Sequence, residues 1–348
     1  MGIRKKILCS ALTIMMTTML CIAGCSSQET VSSGDQASVD DKIKIGIAFD
    51  SFVIERWQRD RDVFVSTATE QGAEVNVQSA TGDIEEQKKI IDYFIEQKED
   101  VIVIVPVDCD ALKDSVAKAK KAGIKVVSYD RIVRNADVDL YISFDNEAVG
   151  RYMAEEINKA LPGGGGCIKV NGPSEDYNVT LVNEGFDKAL NPNISIIDEV
   201  ECSGWVGEEA SNYLDAHADE LDKTGAIMCG NDSLAGQVVT VLSERRLAGD
   251  IAVVGQDADM EACQRIVAGT QIMTVYKPIE LLAKTAALDT IALAKGNDIQ
   301  DVTEFNDGTN DVPYVSIAPQ KVTKDNMDSI ILDSGFHLRE DVYQNENE

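Results

Sequence analysis

The sequence predicts an α/β fold of two lobes, each built around a parallel sheet. From Lys44 onward, short Val- and Ile-rich runs alternate with stretches of helical spacing, which is the pattern of repeated strand–helix–strand units. The alternation breaks where only eight residues separate a strand-like run ending at Asp130 from the next run, which begins at Asp139. A parallel crossover takes about a dozen residues or more, so we expect these strands not to be parallel neighbours and the chain to leave one sheet for another. The break disfavours a continuous (β/α)₈ barrel.

Residues 1–24 have the layout of a signal peptide. Basic residues stand near the start, an apolar run covers residues 7–22, and the letters "IAGCSS" place small residues before Cys25. The run is shorter than the roughly 20 apolar residues of a membrane span. This layout resembles the lipobox of bacterial lipoproteins, which implies cleavage before Cys25 and acylation of its thiol; an ordinary secretory signal with a chance cysteine is the alternative. The polar, Ser-rich residues 25–41 predict a flexible tether.

The chain up to the break predicts alternating strands and helices. The strand-like runs are "KIGIAF", "EVNVQSA", "VIVIVPV" and "KVVSYD". Between the second and third of them, "DIEEQKKIIDYFIEQ" places Ile90, Ile91, Phe94 and Ile95 at the spacing of one helix face. Because Val- and Ile-rich strands alternate with helices, the sheet is expected to be parallel and covered on both faces.

After the break the alternation resumes with "NEAVGRYMAEEINKAL" as a helix and "CIKVNG" as a strand. It continues through further pairs to the strand "QIMTVYK", and a long helix then begins at Pro278, a residue suited to a first helical position. The run "YVSIAPQKV" follows near the end of the chain. The order of elements predicts a second α/β lobe and a chain that passes between the lobes more than once.

The charge balance restricts the partners. The chain has 32 Lys and Arg against 60 Asp and Glu, a formal net charge of −28. Nucleic acid and anionic membrane surfaces attract basic patches, so neither is expected as a partner.

Cysteine and histidine usage gives no metal or redox site. Beyond the signal and Cys25 the cysteines are odd in number, widely spaced and without a CxxC pair, so we expect buried small hydrophobes and neither a disulfide framework nor zinc. The two histidines, His217 and His337, lie in polar surroundings, so we expect neither a histidine-based triad nor a histidine metal site.

Polar side chains stand where several of the strands end. Ligands of open parallel sheets bind outside the carboxyl ends of the strands. A single residue of this kind is more simply a helix cap, and Asp232 and Ser233 are predicted to cap a helix. Polar groups at five strand ends together indicate a binding site, whose members include Asp130, Arg131, Asn231, Gln256, Asp257 and Lys277.

The mixture of side chains favours a neutral polyhydroxyl ligand. It has no surplus of positive charge, so a phosphate is not the evident target. Each sugar hydroxyl both donates and accepts, so carboxylates, amides and guanidinium groups can share it. The two tryptophans, Trp57 and Trp205, either stack on the apolar face of a sugar ring or lie in the core or between lobes.

Several segments resemble those of bacterial D-xylose-binding proteins and, more broadly, of the ribose/galactose type of periplasmic sugar-binding protein. The matching segments run in order and include "ERWQRDRD", "YDR…YISFDN", "CGND" and "GQDAD…GTQ…TVYKP". The resemblance implies a type I periplasmic binding protein, in which two Rossmann-like lobes with parallel sheets are joined by a three-strand hinge. The expected limits are 42–147 plus 279–311 for the first lobe, 148–278 plus 312–340 for the second, and 341–348 for a polar tail.

The resemblance also implies the residues of the sugar site. The implied sugar-binding residues are Arg56, Trp57, Asp130, Arg131, Asn178, Trp205, Asn231, Asp257 and Lys277. In this pattern Asp257 is the acidic partner of the hydroxyl network, Lys277 lies at a lobe crossing and Trp205 stacks on the ring. The resemblance implies a protein that is not an enzyme, and we expect no cofactor and no metal.

The resulting hypothesis is a monomeric, lipid-anchored, extracytoplasmic protein that captures a monosaccharide, a pentose and specifically D-xylose, and passes it to an ABC permease. A sensor subunit that presents sugar to a membrane histidine kinase remains an alternative. A repressor of the same fold would need a helix-turn-helix where the signal peptide stands. An enzyme such as a sugar hydrolase or isomerase would need a catalytic constellation, and none stands out.

Overall fold

The computed structural model describes residues 42–54 and 56–344. The signal peptide expected over residues 1–24, the lipidation site Cys25, the tether to residue 41 and residues 345–348 of the expected tail lie outside them. The described chain begins with β1 (Lys44–Phe49), α1 (Arg56–Glu70), β2 (Glu74–Ser79), α2 (Ile84–Gln97), β3 (Val101–Ile104), α3 (Lys113–Lys121), β4 (Lys125–Tyr129) and β5 (Leu140–Phe144).

The middle of the chain builds a second α/β unit. Its elements are α4 (Asn146–Ala160), β6 (Gly165–Asn171), α5 (Tyr177–Ala189), β7 (Ile194–Glu201), α6 (Gly207–Ala216), β8 (Thr224–Cys229), α7 (Asp232–Glu244), β9 (Ala252–Val254), α8 (Met260–Ala268) and β10 (Thr274–Tyr276). The remaining elements are α9 (Ile279–Ala294), β11 (Thr303–Asn306), β12 (Asp311–Ile317), β13 (Gln320–Val322) and α10 (Arg339–Val342).

The first lobe is a seven-stranded sheet in the described chain, in the order β11-β12-β5-β4-β3-β1-β2. All neighbours are parallel except β11 and β12, which are antiparallel. Ile45 and Ile47 of β1 face a core with α1 and α9, whereas Ala48 faces a second core with α2 and α3. Burial on both faces explains why these strands are continuous apolar runs.

The second lobe contains a parallel sheet in the order β7-β6-β8-β9. A parallel bridge between Val254 and Met273 continues it to β10, which pairs antiparallel with β13. Two cores cover its faces, one under α6 and α7 and one under α4 and α5. The α/β class and the two parallel sheets predicted from the alternation are therefore confirmed.

The prediction that the break after Asp130 separates two sheets was wrong. β4 and β5 are parallel neighbours in the first sheet, with Tyr129 opposite Ile142. The loop 130–139 between them contains no helix, yet it buries apolar side chains against the sheet, namely Ile132, Val133, Ala136 and Val138. Ten extended residues reach about 33 Å and a five-residue strand is only about 17 Å long, so a loop can return the chain without a helix.

The described chain passes between the sheets at three places: from β5 to α4, from β10 to α9 and from β12 to β13. The first and third passages touch, because the Asp145 N–H donates to the Ile317 carbonyl at 3.1 Å. These adjacent short segments are the three connections of the predicted hinge.

Strand pairing and burial depart from two of the expected limits. Residues 312–317 were assigned to the second lobe, but they belong to β12, which pairs with β5 in the first sheet. The expected polar tail starts at 341, but Val342 is buried in a core with Cys263 and Met327, because α10 packs on the second lobe. A single apolar residue among acids gave no sign of this in the sequence.

Burial also explains the cysteines. In the described chain Cys109, Cys167, Cys202, Cys229 and Cys263 are all buried with free thiols, as expected for small hydrophobes. Burial raises the pKa of the Cys109 and Cys167 thiols to about 12. Membrane crossing would take a longer and more apolar helix than any in the described part of the chain.

Asp307 fastens the loop 130–139 to the hairpin of β11 and β12. Its buried carboxylate accepts the N–H groups of Ala136 and Asp137, each at 2.9 Å, and those of Thr309 and Asn310 at 2.9 and 2.8 Å. We expect Asp307→Ala to lower the free energy of unfolding by about 2–4 kcal/mol, because one buried and three partly buried backbone donors lose a charged acceptor. Urea unfolding followed by circular dichroism measures this.

The contribution of Asp307 should depend on pH. Burial alone would raise the pKa of this carboxyl, but the backbone N–H groups lower it to about 2. Because the folded pKa lies below the unfolded one, the contribution is complete above about pH 4 and is lost as the pH falls toward 2. The exposed Asp298→Ala is the control; an Asp307→Ala variant as stable as this control would contradict the role.

Candidate functional site

A small cavity of about 30 Å³ lies where loops that follow strands of both sheets meet. Its lining residues are Ile54, Arg56, Trp57, Asp130, Arg131, Asp176, Asn178, Val179, Trp205, Asn231, Gln256, Asp257 and Lys277. Every sugar-binding residue expected from the sequence is among them. Ile54, Asp176, Val179 and Gln256 were not named in that expected set.

Arg56, the first residue of α1, is held by two carboxylates. Its Nε and Nη2 donate to the Asp60 oxygens, both at 3.2 Å, and Nη2 also donates to Asp130 at 2.5 Å. The remaining nitrogen, Nη1, has no partner in the described part of the chain. The Arg56 guanidinium thus offers one NH₂ group to the cavity.

Arg131 is held in the same manner across the two lobes. Its Nη1 donates to Asp50 of the first lobe at 2.7 Å, and its Nε lies 2.6 Å from Asp176 of the second lobe. Among the described residues no bond involves Nη2. Burial raises the pKa of Asp176, and Arg131 offsets that only in part. Arg131 is therefore both an ion-pair bridge between lobes and a donor toward the cavity.

Asp130 follows β4 with a φ of 61°, a left-handed conformation that costs energy for a residue other than glycine. Its carbonyl accepts the Ser143 and Tyr141 hydroxyls at 2.5 and 3.2 Å, which hold the turn in place. Burial by itself would raise the pKa of the carboxyl, but the nearby cations, chiefly Arg56, lower it below its ordinary value. A charged acceptor is thereby fixed at the cavity wall.

Asp257 and Lys277 form a buried ion pair at 3.2 Å on the second-lobe side. Asp257 has a φ of 99°, and its N–H donates to the Val275 carbonyl at 2.8 Å. Lys277 follows β10, at the passage to α9. Like Asp130, Asp257 is thus a strained acid fixed at a strand end, and such strain clusters at functional sites.

Asn178, near the start of α5, bridges the lobes. Its amide donates to the carbonyl and the carboxylate of Asp130 at 3.1 and 3.2 Å, and its oxygen accepts from Asn146 at 3.0 Å. The side chain reaches the cavity with its hydrogen-bonding groups engaged by protein. In this arrangement it orients Asp130.

The helix cap before α7 is Asn231, and the expectation that Asp232 and Ser233 cap this helix was wrong. The Asn231 oxygen accepts the Leu234 N–H at 2.9 Å, so that its amide nitrogen is left for the cavity. Asp232 is the first helical residue, and its buried carboxylate accepts from Gln271 and Thr274 at 2.8 and 2.6 Å. Sequence position alone did not separate two adjacent cap-forming residues.

The two tryptophans differ in setting. Trp57 is 1% exposed and belongs to the core of the first lobe, where the Arg56 and Arg131 guanidinium carbons lie 4.4 and 5.5 Å from its ring centroid. The core alternative therefore holds for Trp57, although its ring also borders the cavity. Trp205 is half-buried at the opposite wall and has a φ of 62°.

Gly172 makes room for the Trp205 ring. A Cβ on Gly172 would lie 2.4 Å from Cη2 of Trp205, far inside contact distance. We expect Gly172→Ala to displace the ring, to raise acrylamide quenching of tryptophan fluorescence and to cost about 1–3 kcal/mol of stability. Gly163→Ala is the control, because no atom lies within 4 Å of its Cβ position. Equal quenching in the two variants would show that the glycine does not hold the ring.

The charges of the lining balance. Arg56, Arg131 and Lys277 are cationic, and Asp130, Asp176 and Asp257 are anionic. Buried donors and acceptors therefore face the cavity without a net charge in its wall, which suits a neutral ligand rich in hydroxyl groups. In residues 42–54 and 56–344, no group of three or more His, Cys, Asp or Glu side chains is placed to hold a metal ion.

The sequence assigned no role to the supporting acids. Asp50 ends the first strand-like run, Asp60 stands four residues after Arg56, and Asp176 caps α5 by accepting the Asn178 N–H at 3.0 Å. The i, i+4 spacing of Arg56 and Asp60 was a usable signal for their contact. For Asp50 and Asp176 no local signal marked a contact, since each meets Arg131 only through the fold.

Comparisons with known proteins agree with this geometry. Residues 45–298 match the family described as periplasmic binding protein domain. The D-xylose-binding periplasmic protein of Haemophilus influenzae is 40% identical over 323 residues, which are 90% of this chain and 96% of that protein. Its namesake from Escherichia coli is 40% identical over 310 residues, 86% and 93% of the two chains. A solved ABC transporter solute-binding protein from Clostridium phytofermentans with bound β-D-glucose aligns with a TM-score of 0.78 at 27% identity, covering 86% of this chain and 99% of that one.

Proposed function

This chain belongs to the periplasmic binding protein family, and from that premise we propose that it binds a monosaccharide, D-xylose, between its lobes and delivers it to an ABC permease. The family consists of substrate-binding proteins of ABC transporters and is not enzymatic. The site residues are those expected from the sequence, namely Arg56, Trp57, Asp130, Arg131, Asn178, Trp205, Asn231, Asp257 and Lys277.

The observation that carries the proposal is the paired fixation of Arg56 and Arg131. Carboxylate oxygens lie within 3.2 Å of Nε and of one further nitrogen of each guanidinium, so each keeps one NH₂ group for a ligand. Two such donors beside charged acceptors can bind hydroxyl groups in a fixed pattern, because each hydroxyl both donates and accepts. Because the charges of the lining balance, the cavity is compatible with a neutral sugar and does not attract an anion.

D-Xylose is proposed from the two relatives that are 40% identical and carry that ligand in their names. The solved structure with glucose is less similar, at 27% identity. A pentose is therefore the first choice and a hexose is the competing ligand. Loss or gain of one hydroxymethyl group is a small change for a site, so affinities must be compared side by side.

Binding is proposed to proceed by hinge closure. Arg131 and Asn178 already connect the lobes through Asp176 and Asp130. A sugar that contacts both walls would favour the closed state by its additional contacts there, which is the condition for a ligand to shift a conformational equilibrium. The short passages between the sheets are the elements that bend.

Membrane anchoring through acylated Cys25, an extracytoplasmic location, a monomeric state and release to the permease are part of the proposal. They rest on the sequence of the signal region and on the family. Mass spectrometry of the membrane-associated protein would detect an acyl chain on an N-terminal Cys25. Cleavage elsewhere with an unmodified cysteine would reject the anchor without touching the sugar site.

Calorimetry with D-xylose, ribose, arabinose, glucose and galactose tests the ligand. We expect D-xylose to bind most tightly and the hexoses at least about tenfold more weakly, because the hydroxymethyl group that a hexopyranose carries on C5 must find additional room in a small cavity. Binding to none of these sugars would reject the proposed function. Tighter binding of glucose would keep the class of ligand and reject the pentose.

A further inference from the structure

We propose that Asp60, which lies behind the cavity wall, is a positioning residue that holds Arg56 for ligand binding and makes the affinity depend on pH. The inference rests on the proposed function and adds a residue to that site. Asp60 does not line the cavity and is 1% exposed. It therefore acts through its neighbours rather than on the ligand.

Hydrogen bonds to Asp60 connect two elements, α1 and β4. Its two oxygens accept Nε and Nη2 of Arg56, four residues earlier on α1, both at 3.2 Å. The Tyr129 hydroxyl, at the end of β4, donates to the same carboxylate. Since Tyr129 directly precedes Asp130, one carboxylate aligns both the guanidinium and the strand end that carries the next acid of the site.

This contact decides which nitrogen of Arg56 faces the cavity. A guanidinium is planar and has five N–H groups in a fixed fork, so occupying Nε and Nη2 leaves only Nη1 for a ligand. Asp130 alone, which accepts from Nη2 at 2.5 Å, would fix one nitrogen but not the plane of the group. Loss of the Asp60 charge would free the guanidinium to rotate toward Asp130 and withdraw its donor.

The same contact gives a sign for the pH dependence. The ionisable groups that face Asp60 are Arg56 on α1, and Tyr129 and Asp130 at the end of β4. Burial raises the pKa of the Asp60 carboxyl to about 6, although Arg56 and the Tyr129 hydroxyl oppose the rise. Above that pH the carboxylate forms an ion pair with Arg56. Below it the neutral acid keeps only weaker hydrogen bonds to the guanidinium, so the affinity for the sugar should fall as the pH decreases from 7 to 5.

Folding stability should respond to Asp60 in the opposite direction. A carboxyl whose folded pKa exceeds its unfolded value binds a proton more readily in the folded state. Its contribution to stability therefore falls as the pH rises from about 4 to 6. Protonation of Asp60 should therefore lower the affinity for the sugar while it raises the stability of the fold. A residue with only a structural role would change affinity and stability in the same direction.

The test is D-xylose calorimetry at pH 5, 6, 7 and 8 for the wild type, Asp60→Asn, Tyr129→Phe and the control Asp62→Asn. Asp62 lies on the same helix with a side chain 68% exposed. We expect Asp60→Asn to raise the Kd at pH 7 by about 10- to 100-fold and to flatten the pH profile, because an amide cannot accept from both Arg56 nitrogens and Tyr129. Tyr129→Phe should raise the Kd by a few fold, and the control should keep the wild-type profile.

Wild-type affinity and pH profile in Asp60→Asn would overturn the proposal. If Asp60→Asn does not fold, an unchanged Kd and profile in Tyr129→Phe overturn it instead. If the wild type binds no sugar, the proposed function is rejected, but the positioning role of Asp60 can still be tested. The test is then the hydrogen-exchange rate of the Arg56 Nε–H, measured by NMR in the free protein. Slow exchange in the wild type with fast exchange in Asp60→Asn supports the positioning role, and equal exchange rejects it.

Discussion

Arg131→Ala is expected to weaken D-xylose binding by at least about 100-fold, because the ligand loses a charged donor and a hydrogen bond to a charged group contributes up to about 3 kcal/mol. The substitution removes the Nη2 donor of the cavity and leaves the carboxylates of Asp50 and Asp176 without the guanidinium that pairs them. It also removes the ion pair that joins the two lobes. Isothermal calorimetry at neutral pH measures the loss.

Two companion variants sharpen this result. Arg131→Lys keeps a cation but not the planar fork, so an intermediate loss is expected. Arg151→Ala is the control, because the Arg151 side chain is 47% exposed and lies outside the cavity lining. This variant should bind D-xylose with the affinity of the wild type. Near-native affinity in both Arg131→Ala and Asp257→Ala would refute the assignment of the site.

Gly150→Ala is expected to lower the free energy of unfolding by about 3–5 kcal/mol or to prevent folding, as a forced rearrangement of packed helices does. A Cβ at this position on α4 would lie 1.8 Å from the Val182 carbonyl oxygen and 2.6 Å from the Phe186 nitrogen, both backbone atoms of α5. Backbone cannot move aside as a side chain can, so the two helices would have to separate. Urea titration followed by far-ultraviolet circular dichroism gives the free energy.

Gly163→Ala is the matched control for α4 and α5, because nothing lies within 4 Å of its Cβ position. We expect its stability to stay within about 0.5 kcal/mol of the wild type. A loss below about 1 kcal/mol in Gly150→Ala would mean that α4 and α5 pack with room between them.

Local sequence patterns were sufficient to predict the helices and strands. The helix predicted from Ile90, Ile91 and Phe94 is α2, and those side chains are buried. The runs "KIGIAF" and "KVVSYD" became β1 and β4, because strands buried on both faces need continuous apolar residues. Such signals depend on neighbours within a few positions, which a sequence displays directly.

Contacts between positions far apart in the chain were predicted less well than the helices and strands. The loop 130–139 was expected to change sheets, but buried apolar residues and Asp307 fold it back beside β4. Asp307 lies about 170 positions from the N–H groups that it accepts. The β12 strand likewise joins the first sheet through pairing with β5, a partner that the alternation of elements did not reveal.

Two separate observations on the sequence predicted the site, and the second was more specific than the first. Polar residues after strands predicted a binding edge, and the family resemblance predicted its members, all of which line one cavity. Neither route assigned a role to Asp60 or Asp50, because each acts by holding an arginine rather than by facing the cavity.

By itself, the sequence determined the α/β class, the parallel strands, the buried cysteines and the residues that end the strands, since each follows from local periodicity or composition. Tertiary structure alone decided which carboxylate meets which guanidinium, which nitrogen is left for a ligand, and where the chain passes between sheets. These depend on side chains brought together across tens to hundreds of positions, where the energy of a buried charge is set by its surroundings and not by its neighbours in the chain.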